Sequence, residues 1–415
     1  MILAAGKGTR MRSELPKALH KICGRPMLGS LIDTAKTLRP QKIIVVTGHG
    51  FNQIRKAYGT QVKIVRQKAR LGSGHAVHQA AKALKNFRGA VMVLYCDTPL
   101  ISAGTLKVLL DDHRSGGTAA TLLSVDVPDP SGYGRIKKDS AGRVVKIVEE
   151  TEATGAEKAI REINVGCYVF DSRKLFESLK KVSRSSAKKE YYLTDTVEIL
   201  AKRGVIRAIR TQDPQETGGI NTRGQLARAQ GIMQEKILSE WAEKGVWIRD
   251  ARTTVIDRGV TIGRDTQILS HTVIESGCVI GKNCVIGPFA RLRGASRVAD
   301  NAVIGNFVEI VRSAIGPNTQ VKHLSYLGDT EVGASVNIGA GTITANYDGK
   351  KKHRTVIKDG AQIGSGTVLI APVVVGRGAK TAAGAVVTKG KNVPDKKTVA
   401  GVPARILKKG NKRAG

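Results

Sequence analysis

The first residues with the character of a chemical site lie in a glycine-rich segment, LAAGKGTRMRSELPK, over residues 3–17. Backbone N–H groups of such a turn, and of a helix that follows it, can surround phosphate oxygens. Arg10 and Lys17 would neutralise a triphosphate. The pattern is neither G-x4-G-K-[ST] nor G-x-G-x-x-G, because no third glycine follows Gly8. From the glycines alone, an ordinary strand-to-helix turn is therefore an equally good interpretation.

His323 is a second candidate, in the segment VKHLSYLGD that also contains Tyr326. Acyl transfer from a thioester to an amine needs a base for the ammonium proton and donors for the developing oxyanion. Histidine is a suitable base because it titrates near neutral pH. A single histidine in a β-rich segment is more commonly a surface or packing residue, so residue type alone leaves both interpretations open.

The elements around the glycine-rich segment alternate between strands and helices over residues 1–222. Apolar runs ILAAG, KIIVVTG, VKIVRQ and AVMVLYCD are separated by helical patterns, among them 51–58 and 74–84. This alternation predicts a parallel sheet with helical crossovers. Ligands bind such sheets at the carboxyl ends of the strands, which directs attention to the loops after Ala5, Gln67 and Tyr95.

Residues 221–244 have the pattern of one helix, with Leu226, Ile232 or Met233, Ile237 and Trp241 as its apolar positions. We predict three parts for the chain: a first domain over 1–222, a linker helix over 223–245 and a second domain over 246–415.

The second domain has an aliphatic period of six. The positions are Ile256, Ile262, Ile268, Ile274, Ile280, Ile286, Leu292, Val298, Ile304 and Ile310; after one-residue shifts Ile315, Val321, Leu327 and Val332, Ile338, Thr344; and after a loop Ile357, Ile363, Leu369, Val375, Thr381 and Val387. Neither a helix nor a strand has this period. A three-sided solenoid does, with residues 18 apart stacked in columns and about eight coils over 251–405. We expect Ile262, Ile280 and Ile304 to stack along one interior line.

Composition limits the class of protein. The chain has 415 residues, 41% hydrophobic and 25% charged, which predicts two to three globular domains and excludes wholesale disorder. No apolar run approaches the roughly 20 residues of a membrane span, and the N-terminal apolar stretch is too short for a signal peptide. We therefore expect a cytoplasmic protein with no membrane partner. The five cysteines form no CxxC pair and are expected to be reduced.

The net charge of +34 is concentrated at the two ends of the chain. Residues 1–100 contain 18 Lys and Arg against 3 Asp and Glu, and residues 351–415 contain 15 against 2. Such a field favours anionic partners, either nucleic acid or small phosphorylated molecules. Only 4% of the residues are aromatic, which disfavours a stacking surface for single-stranded nucleic acid. A basic binding or scaffold protein is the alternative that this charge leaves open.

Several segments in order resemble one enzyme family. L-x-x-G-x-G-T-R-M followed by P-K resembles the signature of sugar-1-phosphate nucleotidyltransferases, and the segments that follow it are VRQKARLGSGHA, LYCDTPL, DPSGYGRI, KIVEE, EINVG, EYYLTD, GGINTR, GNFVEI, VKHLSYLGD and NIGAGTITANYDGKKKHRT. Along essentially the whole chain they resemble the bifunctional N-acetylglucosamine-1-phosphate uridyltransferases and glucosamine-1-phosphate N-acetyltransferases. The resemblance implies a Rossmann-like mixed sheet in an α/β nucleotidyltransferase domain, a linker helix and a left-handed parallel β-helix of hexapeptide repeats.

The resemblance implies a site for Mg²⁺, UTP and a sugar phosphate in the first domain. Its residues would be Leu3, Ala4, Gly6, Arg10, Lys17, Gln67, Gly72, Ser73, Tyr95, Asp97, Gly134, Glu149, Asn164 and Asn221. Gln67 would read the base, Arg10 and Lys17 would stabilise charge on the reacting phosphates, and Asp97 and Asn221 would hold the metal. Taken alone, Asp97 could equally cap a strand end and Asn221 a helix N-terminus.

In the second domain the resemblance implies that His323 is the general base of acetyl transfer. Residues that bind the sugar phosphate would be Arg293, Tyr326, Asn337 and Lys352, and those near acetyl-CoA would be Ala340, Asn346, Tyr347, Ser365 and Ala383. The family's acetyltransferase sites lie between subunits of a trimer, so a homotrimer is expected, with small-molecule partners and no nucleic acid.

The sequence departs from the family pattern at three positions. Cys96 replaces a glycine near the sugar nucleotide, and Val311 replaces a phosphate-binding lysine in the same column as Arg293. An arginine that helps to hold coenzyme A is not matched at Gly401, although Arg405 is near. These departures keep one alternative open: a monofunctional nucleotidyltransferase whose β-helix is structural or regulatory.

Overall fold

The computed structural model describes residues 1–185 and 189–407. The chain divides into two compact units, Met1–Gln230 and Gly231–Gly415. The division falls inside one long helix, Arg223–Glu243, which begins and ends close to the predicted limits of 221 and 244. The three-part division at 222 and 245 stays a prediction.

The first unit alternates strands and helices. Its strands are β1 (Ile2–Ala4), β2 (Lys21–Ile22), β3 (Arg25–Pro26), β4 (Ile44–Thr47), β5 (Lys63–Arg66), β6 (Ala90–Tyr95), β7 (Ala120–Asp126), β8 (Arg135–Lys138), β9 (Val144–Val148), β10 (Glu162–Asp171) and β11 (Ile206–Arg210). Its helices are α1 (Met27–Thr37), α2 (Phe51–Tyr58), α3 (Ser73–Gln79), α4 (Ala103–Ser115), α5 (Gly155–Lys158), α6 (Ser172–Leu179) and α7 (Asp195–Ala201), with α8 (Arg223–Glu243) beginning after them.

Nine strands form the main sheet of this unit, in the order β11-β7-β10-β6-β1-β4-β5, with β8 and β9 attached through β10. β1, β4, β5 and β6 run parallel, whereas β10 runs antiparallel to β6 and β7. The sheet is therefore mixed, as the resemblance implies. Every residue of β1 and β4 is buried, as is typical of strands in the interior of a parallel sheet.

The helix predicted over 74–84 is divided in the structure. α3 ends at Gln79, and a 3₁₀ helix follows over Ala81–Leu84. The backbone N–H of Ala80 bonds to the carbonyl of Val77, three residues back, so the chain tightens into a 3₁₀ turn at that point.

The second unit is a parallel β-helix with three faces. Face 1 contains Trp247–Ile248, Gln267–Ile268, Val285–Ile286, Val303–Asn306, Gln320–His323, Asn337–Ile338, Gln362–Ile363, Lys380–Thr381, Thr398–Ala400 and a final antiparallel Arg405–Ile406. Face 2 contains Val255–Ile256, Val273–Ile274, Arg291–Arg293, Glu309–Val311, Tyr326–Gly328, Ile343–Ala345, Val368–Ile370 and Val386–Val387. Face 3 contains Thr261–Ile262, Val279–Ile280, Arg297–Val298, Ala314–Ile315, Thr330–Val332, Thr355–Ile357 and Val373–Val375.

The interior of the β-helix confirms the period of six. On face 2, Ile256 pairs with Ile274 and Leu292 pairs with Ile310 in the next coils. All four side chains are fully buried. The aliphatic residues at the six-residue positions thus stack from coil to coil and form the core of the β-helix.

The expected position of Ile304 is wrong. Ile262 pairs with Ile280 on face 3, and Ile280 pairs with Val298. Ile304 lies on face 1, where it pairs with Ile286 and Val321. The physical reason is the 18-residue coil: Ile304 follows Ile280 by 24 residues, one coil and one further face.

Two further features concern the whole chain. None of the helices in the described residues is long and apolar enough to cross a membrane. The cysteines Cys23, Cys96, Cys167, Cys278 and Cys284 are buried with free thiols.

Candidate active sites

A cavity of about 490 Å³ lies at the carboxyl ends of β1, β5 and β6. Nine of the predicted residues line it, namely Leu3, Ala4, Gly6, Lys17, Gln67, Gly72, Ser73, Tyr95 and Asp97. They lie at the ends of β1 and β6 and in the segments that follow β1, β5 and β6, which the parallel strands bring to one edge of the sheet. This volume is typical of a small-ligand site. We call it the nucleotide cavity.

Arg10, Lys17, Asp97 and Asn221 form one polar cluster at this cavity. Lys17 Nζ donates hydrogen bonds to Asp97 Oδ2 at 2.8 Å and to Asn221 Oδ1 at 3.0 Å. Arg10 Nη2 donates to the same Asn221 oxygen at 3.0 Å. Two cations thus meet one carboxylate and one amide oxygen, although 211 residues separate Arg10 from Asn221.

The side chain of Asn221 belongs to this cluster and does not cap a helix. Helix α8 begins at Arg223, and Thr222 Oγ1 accepts the backbone N–H of Gln225. Gln225 Oε1 in turn accepts the backbone N–H groups of Thr222 and Asn221. This reciprocal arrangement caps the helix, which leaves the Asn221 amide oxygen for Lys17 and Arg10.

The donor set of the cluster fits Mg²⁺ that arrives with a nucleotide. Asp97 and Asn221 place two oxygens around one cation, Lys17 Nζ, at 2.8 and 3.0 Å. Mg²⁺ takes oxygen ligands, and in phosphate sites it commonly binds one or two carboxylates together with waters and phosphate oxygens. Within the described residues, no cluster of three or more His, Cys, Asp or Glu side chains could hold a metal without such help.

Gly134, Glu149 and Asn164 lie together beside the β8–β9 hairpin. The backbone N–H of Asn164 donates to the Gly134 carbonyl at 2.8 Å. A Cβ on Gly134 would lie 3.7 Å from Asn164 Cβ and 3.8 Å from Glu149 Oε2. Thr194 Oγ1 donates to Glu149 Oε1 at 2.8 Å, and Asn164 Nδ2 donates to the hydroxyl of Tyr168 at 2.6 Å. None of these three residues lines the nucleotide cavity itself.

Two aromatic rings connect these residues with the nucleotide cavity. Tyr95 lines the cavity and meets Tyr168 edge to face, with ring centroids 6.4 Å apart. Burial raises the pKa of both hydroxyls, so they stay protonated and act only as hydrogen-bonding groups.

Cys96 lines the nucleotide cavity next to Asp97. Burial, together with the neighbouring Asp97 charge, raises the pKa of its thiol to about 12. The side chain is therefore a neutral packing group rather than a nucleophile.

Three charged lining residues were not predicted from the sequence, namely Lys7, Arg70 and Glu190. All three lie in segments that carry the family resemblance: the glycine-rich segment, VRQKARLGSGHA and EYYLTD. Lys7 follows the predicted Gly6 directly and Arg70 lies three residues after the predicted Gln67, and this proximity in the chain was the available signal.

In the second unit, His323 lies at the end of its strand on face 1, exposed to solvent. Its Nδ1 lies 3.0 Å from Asn306 Oδ1, and the two residues are register partners in adjacent coils. Asn306 Oδ1 can only accept, so this contact is a hydrogen bond when Nδ1 carries a proton, and the neutral ring then presents the lone pair of Nε2. That is the tautomer a general base needs.

The residues expected near acetyl-CoA follow His323 along the same corner of the β-helix. Val321 pairs with Ile338 and Gln320 with Asn337, which places Ala340 one coil after His323. The backbone N–H of Gly366 bonds to the Ala340 carbonyl, and that of Gly384 bonds to the Ser365 carbonyl. Ala340, Ser365 and Ala383 therefore form one line of small residues, about 5 Å apart from coil to coil.

Among the residues expected to bind the sugar phosphate, Arg293 and Tyr326 lie on face 2 and Asn337 lies on face 1. Arg293 Nε donates to Glu309 Oε1 at 2.6 Å, and the strand of Tyr326 pairs with that of Glu309. Asn337 is exposed on face 1.

The loop between Ala345 and Thr355 carries the remaining predicted residues. Tyr347 and Lys352 form an antiparallel bridge, and the Tyr347 side chain is 60% exposed. Asn346 Nδ2 donates to Asp329, whose carboxylate also accepts both Nε and Nη2 of Arg312.

The register confirms that Arg293 and Val311 share a column. Val311 is fully buried, so its side chain offers nothing to a ligand. The Asp329 carboxylate engages Arg312 at 2.6 and 2.7 Å, which fixes this neighbouring cation away from the column.

A sheet with a nucleotide-sized cavity and a hexapeptide β-helix with a solvent-facing histidine occur here in one chain. The combination defines a two-unit transferase, a nucleotidyltransferase joined to an acyltransferase. Comparison with known families agrees: residues 1–192 match the MobA-like NTP transferase domain. Residues 259–294, 277–312 and 354–389 match the bacterial transferase hexapeptide of six repeats.

Three relatives make the relationship specific, each named Bifunctional protein GlmU. That of Shouchella clausii is 43% identical and covers 94% of this chain and 93% of its own length. That of Geobacillus thermodenitrificans is 44% identical with coverages of 94% and 92%, and that of Pelotomaculum thermopropionicum is 46% identical with 90% and 89%. The chain belongs to the GlmU family of bifunctional transferases, which confirms the predicted family, fold class and bifunctional enzyme.

Proposed function

We propose that the first unit transfers a uridylyl group from UTP to N-acetylglucosamine-1-phosphate and that the second unit acetylates glucosamine-1-phosphate with acetyl-CoA. The observation that carries the first assignment is the convergence of Arg10, Lys17, Asp97 and Asn221 at the nucleotide cavity. The second assignment rests on the His323–Asn306 pair at the start of the column of small residues.

In uridylyl transfer, a phosphate oxygen of the sugar phosphate attacks the α-phosphorus of UTP. The bond from that phosphorus to the bridging oxygen breaks, and pyrophosphate leaves. Arg10 and Lys17 would neutralise negative charge on the reacting and departing oxygens, while Gln67 would read the base and Gly72 would contact the nucleotide. Positioning and electrostatic stabilisation therefore supply most of the rate enhancement.

Asp97 and Asn221 would hold Mg²⁺ when the nucleotide is bound. The ion would supply positive charge to the phosphate oxygens. Lys17 Nζ lies between the two oxygen ligands and can turn toward the phosphates, because its side chain is long and flexible. The Asp97 and Asn221 oxygens would thus face a positive charge both with nucleotide, from Mg²⁺, and without it, from Lys17.

In acetyl transfer, the amine of glucosamine-1-phosphate attacks the thioester carbonyl. Nε2 of His323 takes the proton from the attacking nitrogen, the carbon–sulfur bond breaks, and the proton passes to the leaving thiolate. Asn306 holds the ring through Nδ1 at 3.0 Å, which presents Nε2 in its basic form.

The two assignments are tested together in one mixture that supplies both acceptors, glucosamine-1-phosphate and N-acetylglucosamine-1-phosphate, with acetyl-CoA, UTP and Mg²⁺, and has two readouts. Pyrophosphate release reports uridylyl transfer, and free thiol reports acetyl transfer. Asp97→Ala should abolish the first and leave the second, and His323→Ala should do the reverse. Thiol release no greater than that of His323→Ala would reassign the β-helix to a structural or regulatory role.

We also propose that the chain assembles as a homotrimer through the β-helix. His271, Phe289 and Phe307 form an exposed ladder, with ring centroids 4.7 and 5.1 Å apart, and Leu324 stands next to it. Phe289, Phe307 and Leu324 are 47%, 55% and 60% exposed. A contiguous apolar stripe of this kind is typical of a surface that another protein covers.

Light scattering coupled to size exclusion tests this assembly. The parent protein should have three times the mass of a single chain. The double variant Phe289→Ser with Phe307→Ser should have the mass of one chain. Val279→Ser is the control, because Val279 is exposed on face 3, away from the ladder. A monomeric parent protein would refute the proposal.

A further inference from the structure

A second cavity lies beside the nucleotide cavity, and we call it the basic cleft. It encloses about 520 Å³ between the start of α2, residues 48–53, and the segment that follows β5, residues 66–68 with Arg70. Gln67 and Arg70 line both cavities, so the two lie side by side. The cleft, too, is at the carboxyl ends of parallel strands, where α/β sheets bind ligands.

Three cations line the basic cleft without a counter-charge. Arg66, Lys68 and Arg70 are exposed, and no carboxylate is among the lining residues. In the described part of the chain none of the three forms an ion pair, whereas Lys17 and Arg25 pair with Asp97 and Asp33.

Acidic residues are scarce in this part of the chain. Residues 1–100 contain only three, Glu14, Asp33 and Asp97, and two of these are engaged by Lys17 and Arg25. Mutual repulsion among the cations of the cleft is therefore relieved mainly by ions from solution.

The cleft holds one of these cations in a fixed position. The Arg66 guanidinium lies 5.0 Å from the centroid of the Phe51 ring. Such a cation–π contact restrains the guanidinium, whose N–H groups can still make a bidentate contact. Gln67 is buried between Arg66 and Lys68, so it separates the cleft from the nucleotide cavity.

We propose that the basic cleft binds a multivalent phosphate group, separately from the substrate in the nucleotide cavity. Guanidinium groups match phosphate oxygens in pairs, and three cations suit an anion with several charges, such as a pyrophosphate group. That group could be free pyrophosphate or the polyphosphate of a second nucleotide, and both present the same chemistry to the cleft.

Binding of inorganic pyrophosphate to the full chain, measured by calorimetry, tests the proposal. Lys17→Ala weakens the nucleotide cavity and should leave one site for pyrophosphate. Adding Arg66→Gln and Lys68→Gln to that variant should weaken the remaining site about tenfold or more. The matched control adds Arg55→Gln and Lys56→Gln, which remove two equal charges from α2 outside the cleft, and should change the affinity less than twofold.

UTP titrated into the same variants separates the two sources. Tighter binding of UTP than of pyrophosphate supports a second nucleotide, and equal or weaker binding supports free pyrophosphate. No residual site in Lys17→Ala, or equal losses in the test and control variants, would overturn the proposal. So would a single-stranded oligonucleotide that binds the cleft residues more tightly than either small anion. Failure of uridylyl transfer leaves this test unaffected, because it measures binding only.

Discussion

The Lys17 ammonium donates a 2.8 Å hydrogen bond to Asp97 Oδ2, between side chains that are only 16% and 26% exposed. The two residues lie 80 positions apart and come from different loops of the sheet. Asn221 accepts from the same ammonium, so a carboxylate and an amide oxygen converge on one positive charge. The account of uridylyl transfer depends on this arrangement.

Asp97→Asn should reduce uridylyl transfer by about two orders of magnitude or more, because it removes a charged ligand where charge develops in the reaction. Pyrophosphate release measures the loss. Asp33→Asn is the control, since Asp33 pairs with Arg25, and it should retain activity. Normal pyrophosphate release by Asp97→Asn would exclude Asp97 from the site.

Asn221→Ala should raise the Mg²⁺ concentration required for half-maximal uridylyl transfer by about tenfold or more. The reason is the loss of one of the two oxygens that accept from the Lys17 ammonium and that would bind the metal. A Mg²⁺ titration of pyrophosphate release measures the change. An unaltered Mg²⁺ requirement would mean that Asn221 only orients Lys17 and Arg10.

Asn306→Ala should lower the kcat of acetyl transfer about ten- to a hundredfold with little effect on the KM for acetyl-CoA. The contact that fixes the His323 tautomer is lost in this variant. Asn306→Asp keeps an acceptor but adds a negative charge, which stabilises the protonated imidazole.

The acid limb of the rate against pH should therefore move to higher pH in Asn306→Asp, because only the neutral imidazole can take a proton. An acid limb that does not move would show that Asn306 has a structural role alone.

Asp195→Asn should stabilise the first unit above pH 6. Burial, together with the charges of Glu152 and Glu149, raises the pKa of Asp195 from 3.8 to about 6. A raised folded-state pKa means that the folded state binds the proton more tightly, so stability falls as pH rises from about 4 to 6.

Asp195→Asn avoids the loss of stability that ionisation of Asp195 causes, because the asparagine side chain does not ionise. We expect a gain of roughly 1–3 kcal/mol at pH 7 that shrinks toward pH 4. Thermal unfolding at both pH values measures it, with Asp111→Asn, an exposed member of a surface ion pair, as the control. A gain that does not depend on pH would contradict the assignment.

Ile280→Ala should destabilise the β-helix by about 2–5 kcal/mol, because it leaves a cavity in a closely packed column. Ile280 is 2% exposed, whereas its neighbour Val279 is 39% exposed. Val279→Ala should therefore change stability by only about 0.5 kcal/mol. Both tryptophans, Trp241 and Trp247, belong to the second unit, so their fluorescence during urea unfolding reports this comparison. Equal effects of the two variants would contradict the interior column.

Local patterns predicted much of the fold, because in these segments each residue's environment follows from its neighbours in the chain. The helix 51–58 has the predicted limits, and the period of six gives the three faces of the β-helix. Ile304 was predicted on the wrong face of the β-helix. Residues share a column only when whole coils separate them, and the 24 residues from Ile280 to Ile304 are one coil and one further face.

The parts of the sites that depend on distant contacts were harder to predict. Asn221 could cap a helix or face the cluster, and only the structure shows that Thr222 is the cap. Asn306 was missed although it precedes His323 by one coil; the stacking rule would have identified it once the one-residue shift after Ile310 was counted, because this coil is 17 residues long. For Arg70 the sequence offered only its closeness to Gln67 in the chain, because the position of its side chain in the cavity depends on a loop.

The central claim is best tested by incubating the purified chain with N-acetylglucosamine-1-phosphate, Mg²⁺ and each of the four common ribonucleoside triphosphates. We predict that UTP alone yields a nucleotide sugar at an appreciable rate, with one pyrophosphate per product, and that Lys17→Ala and Asp97→Asn abolish it. Equal turnover of all four nucleotides, or undiminished turnover in both variants, would contradict the account.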